Sequence, residues 1–182
     1  TPGSSAEDLK GPEGFPKGES NKFVYEGEVG KHMWYDGTQH PWEFKRVWHI
    51  EPSLTDPDTA YAGVEDAAIF KTTDGGKTWK EMAGLRQAKG HLWQPGAGGM
   101  CMHSIATWPG DPSRIALAIS AVGVWLSDDG GRTWRHGNKG LHPRYMPEEA
   151  REDTITLCVH NLHRAGGRPE RLFMQFHGGV YR

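Results

Sequence analysis

The sequence predicts an all-β fold, a β-propeller built of four-stranded blades. The stretch KTTDGGKTWK (71–80) returns as LSDDGGRTWR (126–135), 55 residues further along the chain. Around each copy lie four short strand-like pieces, and a period of about 50 residues with four strands per unit is the repeat of a propeller blade. The composition agrees: 25 Gly, 12 Pro and 8 Trp, with no long apolar helix pattern, suit short strands joined by tight turns.

Taken in order, residues 1–45 are expected to hold a partial blade and an inter-blade loop. Their opening, SSAEDLKGPEGFPKGES, is polar and loop-like, and only FVYEGEV (23–29) has strand character. Residues 46–100 and 101–155 each read as one blade plus a loop, and 156–182 as a truncated blade, all within one propeller domain. In the second unit strands are expected near Met102–Thr107, Ile115–Ser120, Val124–Ser127 and Thr133–His136, separated by Gly, Pro and Asp turns. Pro57 and Pro112 precede Phe70 and Trp125 by 13 residues each, and Pro169 precedes Tyr181 by 12. Propellers close with about four to eight blades, so the chain reads as a fragment of a longer propeller with unpaired blade edges.

The net charge of −2 gives no electrostatic reason to expect nucleic acid or an anionic membrane as partner. No run approaches the ~18 apolar residues of a membrane span. Cys101 and Cys158 are too few for a disulfide framework, and no Asn-x-Ser/Thr sequon is present, which favours a reducing, cytoplasmic compartment.

The repeated phrase has a structural explanation at every position. A Gly pair between two strands permits the positive φ of a tight hairpin. Asp74 or Asp129 can accept backbone N–H groups across the turn, and Thr72 or Ser127 can do the same. Trp79 and Trp134 then return onto the sheet. A phosphate-binding loop would need Gly where Lys71 and Leu126 stand, and a calcium loop would need a third Asp/Asn and a distal Glu.

The two copies match the pattern Ser/Thr-x-Asp-x-Gly-x-Thr-Trp on Thr72, Asp74, Gly76 and Trp79 and on Ser127, Asp129, Gly131 and Trp134. In this they resemble the Asp box, or BNR repeat, of sialidases, sortilin-type receptors and bacterial sialidase-like glycosyl hydrolases. The resemblance covers roughly residues 40–182. It implies a propeller with the box on the turn between outer strands, away from the axis. Sialidases also carry an early Arg-Ile-Pro motif. Here Arg114-Ile115 is followed by Ala116, so sialidase chemistry has no support in these residues.

Candidate site residues come from aligning the units. His49, His103 and His160 fall 8, 9 and 9 residues before Pro57, Pro112 and Pro169, at the start of each unit where the innermost strand is expected. Cys101 and Cys158 stand two residues before the last two histidines and so share a strand face with them. The three histidines could form a ring holding a transition metal such as zinc or copper. Equally, they could hydrogen-bond neighbouring backbone while the cysteines fill small gaps. No other cofactor is called for. Glu51 on the inner strand, with Glu65 and Asp66 in the turn after the second strand, are the candidate catalytic carboxylates, since paired carboxylates serve glycoside hydrolysis. Solvated surface charge is the competing explanation. Trp93 and Gln94, in a Gly-rich loop expected to cross the channel mouth, and His177 in the third unit are the candidate ligand contacts.

Glycoside hydrolysis by paired carboxylates at the channel mouth is therefore the leading functional expectation, with carbohydrate as the partner. The alternatives are a non-catalytic propeller binding a protein or glycan across its channel face, and a metal-dependent enzyme using the histidine ring.

Overall fold

A computed structural model describes residues 23–24, 31–34, 36–42, 46–96, 98–144, 147–150 and 157–182. The strands are β1 (Phe23–Val24), β2 (Lys31–Met33), β3 (Gln39–Pro41), β4 (Val47–Pro52), β5 (Ala60–Val64), β6 (Ala68–Thr72), β7 (Trp79–Glu81), β8 (Met102–Trp108), β9 (Asp111–Ile119), β10 (Gly123–Ser127), β11 (Arg135–His136), β12 (Val159–Ala165), β13 (Arg168–Phe176) and β14 (Gly179–Tyr181). Strands β4–β7 and β8–β11 each form an antiparallel meander, β12–β14 form the start of a third, and β2 and β3 pair as a separate hairpin. These are three successive propeller blades. β1 adds to the outer edge of the first blade by pairing in parallel with β7. The rest of FVYEGEV and most of the opening stretch lie outside the described residues.

Period-2 patterning explains how the blades stack. Along β9, Ile115, Leu117 and Ile119 point to one side and Ala116 and Ala118 to the other, all buried. The branched side packs with Tyr61 and Ile69 of the first blade, together with Met102, Ile105 and Trp125. The alanine side leaves room for the large Leu162, Met174 and Phe176 of the third blade. The second blade is thus apolar on both faces because it is sandwiched between the first and the third. Arg164 of β12 fastens the second joint. Its guanidinium donates to the carbonyls of Thr107 at 3.0 Å, Ala106 at 3.4 Å and Pro169 at 2.8 Å.

The repeated turn is held by side chain to backbone bonds. Thr78 donates to Asp74 through its N–H (2.9 Å) and its hydroxyl (2.6 Å), while the Gly76 N–H donates to the Thr72 hydroxyl (3.0 Å). The second copy repeats this with Thr133, Asp129, Gly131 and Ser127. These bonds favour the ionised carboxylates and hold Asp74 and Asp129 down at about 2. Gly76 and Gly131 sit at φ +85° and +86°, where a side chain would be strained. Trp79 and Trp134 are half-buried against the cores.

The chain also contains short helical pieces that depart from the expected all-strand pattern. Between the first and second blades the connection folds into a short helix, α1 (Gly84–Lys89), followed by a 3-10 turn (Gly90–Leu92). α1 brings Arg86 onto Glu81 in a buried two-pronged ion pair, with N–O distances of 2.7 and 2.9 Å. The guanidinium also lies 5.4 Å from the Trp42 ring.

Candidate functional site

The inner strands β4, β8 and β12 lie side by side, with β8 packed against both others. Each carries one extra residue near its start. The pairing skips from Val47 to His49, from Met102 to Ser104 and from Val159 to Asn161. The extra residues are Trp48, His103 and His160, so these three are structural equivalents. A bulge of this kind re-aims a side chain out of the regular alternation.

The three bulge residues form a continuous ladder of rings. Trp48 meets His103 at 5.2 Å between centroids, His103 meets His160 at 5.3 Å, and His160 stacks on His177 at 4.8 Å. Trp48 heads the ladder and is 43% exposed. A second row runs beside it, from the residues just after β5, β9 and β13: Glu65, Ser120 and His177. The Glu65 N–H donates to the Arg46 carbonyl and the Ser120 N–H to the Cys101 carbonyl, both at 2.9 Å, which matches Arg46 with Cys101 and, by sequence offset, with Cys158.

Each blade closes this bend with different chemistry. In the first blade Arg46 Nη1 lies 3.4 Å from Glu65 Oε2. In the second, His103 Nε2 and Ser120 Oγ share a hydrogen bond at 2.5 Å. In the third, His160 Nε2 and His177 Nε2 are 2.8 Å apart, and with the Cys158 thiol their ligand atoms all lie within 4.8 Å of one another. Burial lowers the pKa of His103 and of His160; His160 adds to the effect on His103, and His177 to that on His160. Burial, followed by the negative charges of Glu65 and Asp66, pushes the Cys101 thiol up to about 12, so Cys101 stays protonated and unreactive.

Several expected placements change. His49 is not in the ladder. It lies one residue past the bulge, with Nε2 3.3 Å from Glu51 Oε2, and the potential ligands that gather are Cys158, His160 and His177 instead of His49, His103 and His160. The signal was in the spacing, because Trp48, His103 and His160 are each nine residues before their proline. Trp93 is 1% exposed, wedged between Trp42 and Trp125 at 6.2 and 5.9 Å, and therefore cannot touch a ligand. Gln94 beside it is exposed. Asp66 is 5% exposed and lies 3.5 Å from His32 Nε2, so it is a buried side chain of the core and not a solvated acid. Of the three candidate carboxylates, Glu65 alone stands in the rows just described. A surface cleft of about 540 Å³ lies elsewhere, bordered by Lys139, Glu170, Arg171 and Tyr181, and no ladder residue lines it. Among the described residues no helix is long and apolar enough to cross a membrane.

No family model matches the chain, and no curated protein does. Among solved structures, an ancestral GH74 enzyme superposes on 79% of this chain and 18% of its own, with 14% identity and a TM-score of 0.52. YCF48 from Cyanidioschyzon merolae matches over 78% of this chain and 38% of its own (16% identity, TM-score 0.49). The GH74 xyloglucanase from Xanthomonas campestris matches over 76% and 21% (15% identity, TM-score 0.49). The chain spans less than two-fifths of the length of each. These proteins are β-propellers, and the sheet order, the blade stacking and the likeness to the ancestral GH74 enzyme give this chain the same fold.

Proposed function

We propose that the chain is part of an Asp-box propeller that binds carbohydrate across its axial face, with the Trp48–His103–His160 ladder as the binding platform. The observation that carries this is the exposed Trp48 ring at the head of an aromatic ladder, flanked by a row of polar groups. A sugar ring presents an apolar C–H face and a rim of hydroxyls. An exposed indole matches the face. The Glu65 carboxylate and the Arg46 guanidinium supply charged partners for the rim. The GH74 enzyme that shares the fold makes glycans the first ligand class to test. Calorimetry with xyloglucan and β-glucan oligosaccharides should give saturable binding that Trp48→Ala weakens at least ~10-fold, the loss of about 1.4 kcal/mol of stacking. Binding unchanged by Trp48→Ala would overturn the proposal.

Hydrolysis is a second reading, favoured by one observation. The Glu65 side chain is only 12% exposed, beside the ladder, with its Oε2 3.4 Å from Arg46 Nη1, which holds a carboxylate where a nucleophile or base would stand. The partner acid would come from another blade. Release of reducing sugar that Glu65→Gln abolishes, with binding retained, would establish it, while intact oligosaccharide after prolonged incubation would leave binding as the function.

A further inference from the structure

We propose that Cys158, His160 and His177 form a site for a single zinc ion or a similar late transition metal, with a fourth coordination position left open. The proposal stands independently of carbohydrate binding. It begins from the comparison of equivalent positions in the three blades. The first blade closes this bend with an Arg–Glu ion pair and the second with a His–Ser hydrogen bond. Three metal-ligating side chains are therefore no requirement of the fold, and among the described residues only the third blade assembles them.

The geometry suits one small ion. The Cys158 sulfur and the two imidazole nitrogens lie within 4.8 Å of one another, and the two Nε2 atoms are 2.8 Å apart. Around tetrahedral zinc, with Zn–N about 2.0–2.1 Å and Zn–S about 2.3 Å, such donors stand roughly 3.3–3.6 Å apart. Small side-chain rotations bring the observed set to that spacing. Cys158 and His160 come from one end of an inner strand, and His177 from the residue that follows its partner strand β13. His103 packs on the His160 ring at 5.3 Å and holds its plane, while its own Nε2 is committed to Ser120.

One thiolate and two imidazoles select zinc, cobalt or copper over magnesium and calcium, which take oxygen ligands. Three protein ligands leave a position for water or a ligand oxygen, as in catalytic zinc sites. Proton balance follows from the ligands. Both rings bind through Nε2 and keep one proton on Nδ1, so one ring of the pair changes tautomer without net loss. Cys158 binds as thiolate, and its proton leaves, about one per metal bound.

Cobalt(II) titration of the purified protein, followed by absorption, tests the site. One equivalent should bind with d–d bands and a near-ultraviolet thiolate-to-cobalt charge-transfer band, and zinc should displace it. Cys158→Ser should remove the charge-transfer band, and His177→Ala should weaken binding at least ~10-fold. His49→Ala should change neither. Circular dichroism of each variant confirms that it is folded, and Cys158→Ser, a near-isosteric change, is the decisive case. No saturable cobalt binding, or a charge-transfer band that persists in Cys158→Ser, overturns the proposal. Oligosaccharide binding measured on the same samples keeps this outcome separate from that of the carbohydrate proposal.

Discussion

Gly63→Ala tests the joint that places Trp48 against His103. Gly63 pairs with His49 on β4 and Ile69 on β6 and faces the second blade. A Cβ at this position would stand 2.7 Å from the Met102 carbonyl oxygen and 2.9 and 3.1 Å from its Cγ and Cβ. The backbone carbonyl is fixed by the β8–β9 ladder, and Met102 is fully buried, so the strain has no cheap outlet. Gly63 does not have positive φ, and alanine there carries no backbone penalty. Without the close approach, Gly→Ala would stabilise the protein by about 0.4–1 kcal/mol through the unfolded chain. Overpacking a filled core costs about 1–3 kcal/mol. The expected net loss is about 1–2 kcal/mol, a drop in Tm of roughly 2–8 °C for a chain of this size. Thermal melting by circular dichroism measures it. Because the two contributions have opposite sign, the direction alone decides: a Tm raised by Gly63→Ala would refute the tight joint between the first two blades.

Two other expectations concern the frame of the site. Glu81→Ala leaves the Arg86 guanidinium buried without its carboxylate, and the loss should be about 3–5 kcal/mol in urea unfolding. A Glu81→Met/Arg86→Leu double variant should lose less than Glu81→Ala, and a single variant within 1 kcal/mol of wild type would contradict the burial of the pair. Asp74 and Asp129 have native pKa values below the unfolded value, so their contribution is full above about 4 and is lost as pH falls towards about 2. Asp129→Asn should lower stability at pH 7 and flatten the pH dependence between those limits, measured by melting at graded pH. An unchanged acid profile would show that the turn bonds do not matter to stability.

The fold was legible because its signals are local and repeated. The Asp-Gly-Gly turns and the regularly spaced prolines each fix a short piece, and repetition turns those pieces into blades. The position of the ring ladder on the inner strands was legible to within one residue. The aligned histidines pointed to the inner strands, but a β-bulge moved the first blade's contribution from His49 to Trp48, and a bulge has no residue-type signature. Only the nine-residue spacing to Pro57, Pro112 and Pro169 marked it. Trp93 was misplaced for another reason. A Gly-rich segment reads as exposed loop, yet α1 and the following turn carry it back between Trp42 and Trp125. That is a tertiary event set by apolar burial, invisible in local pattern. Asp66 pairs with His32, more than 30 positions earlier, a contact that no local signal announces. Cys158 and His177 stand 19 positions apart in the sequence, and β12–β13 pairing is what makes them neighbours.

The most direct test of the axial site compares Trp48→Ala with His49→Ala in oligosaccharide binding by calorimetry. The two residues are adjacent in sequence and differ in whether they join the ring ladder. At least a ~10-fold loss of affinity for Trp48→Ala, with His49→Ala close to wild type, is the expected result. The reverse ranking, or equal loss in both, would contradict the placement of the binding face on the bulge residues.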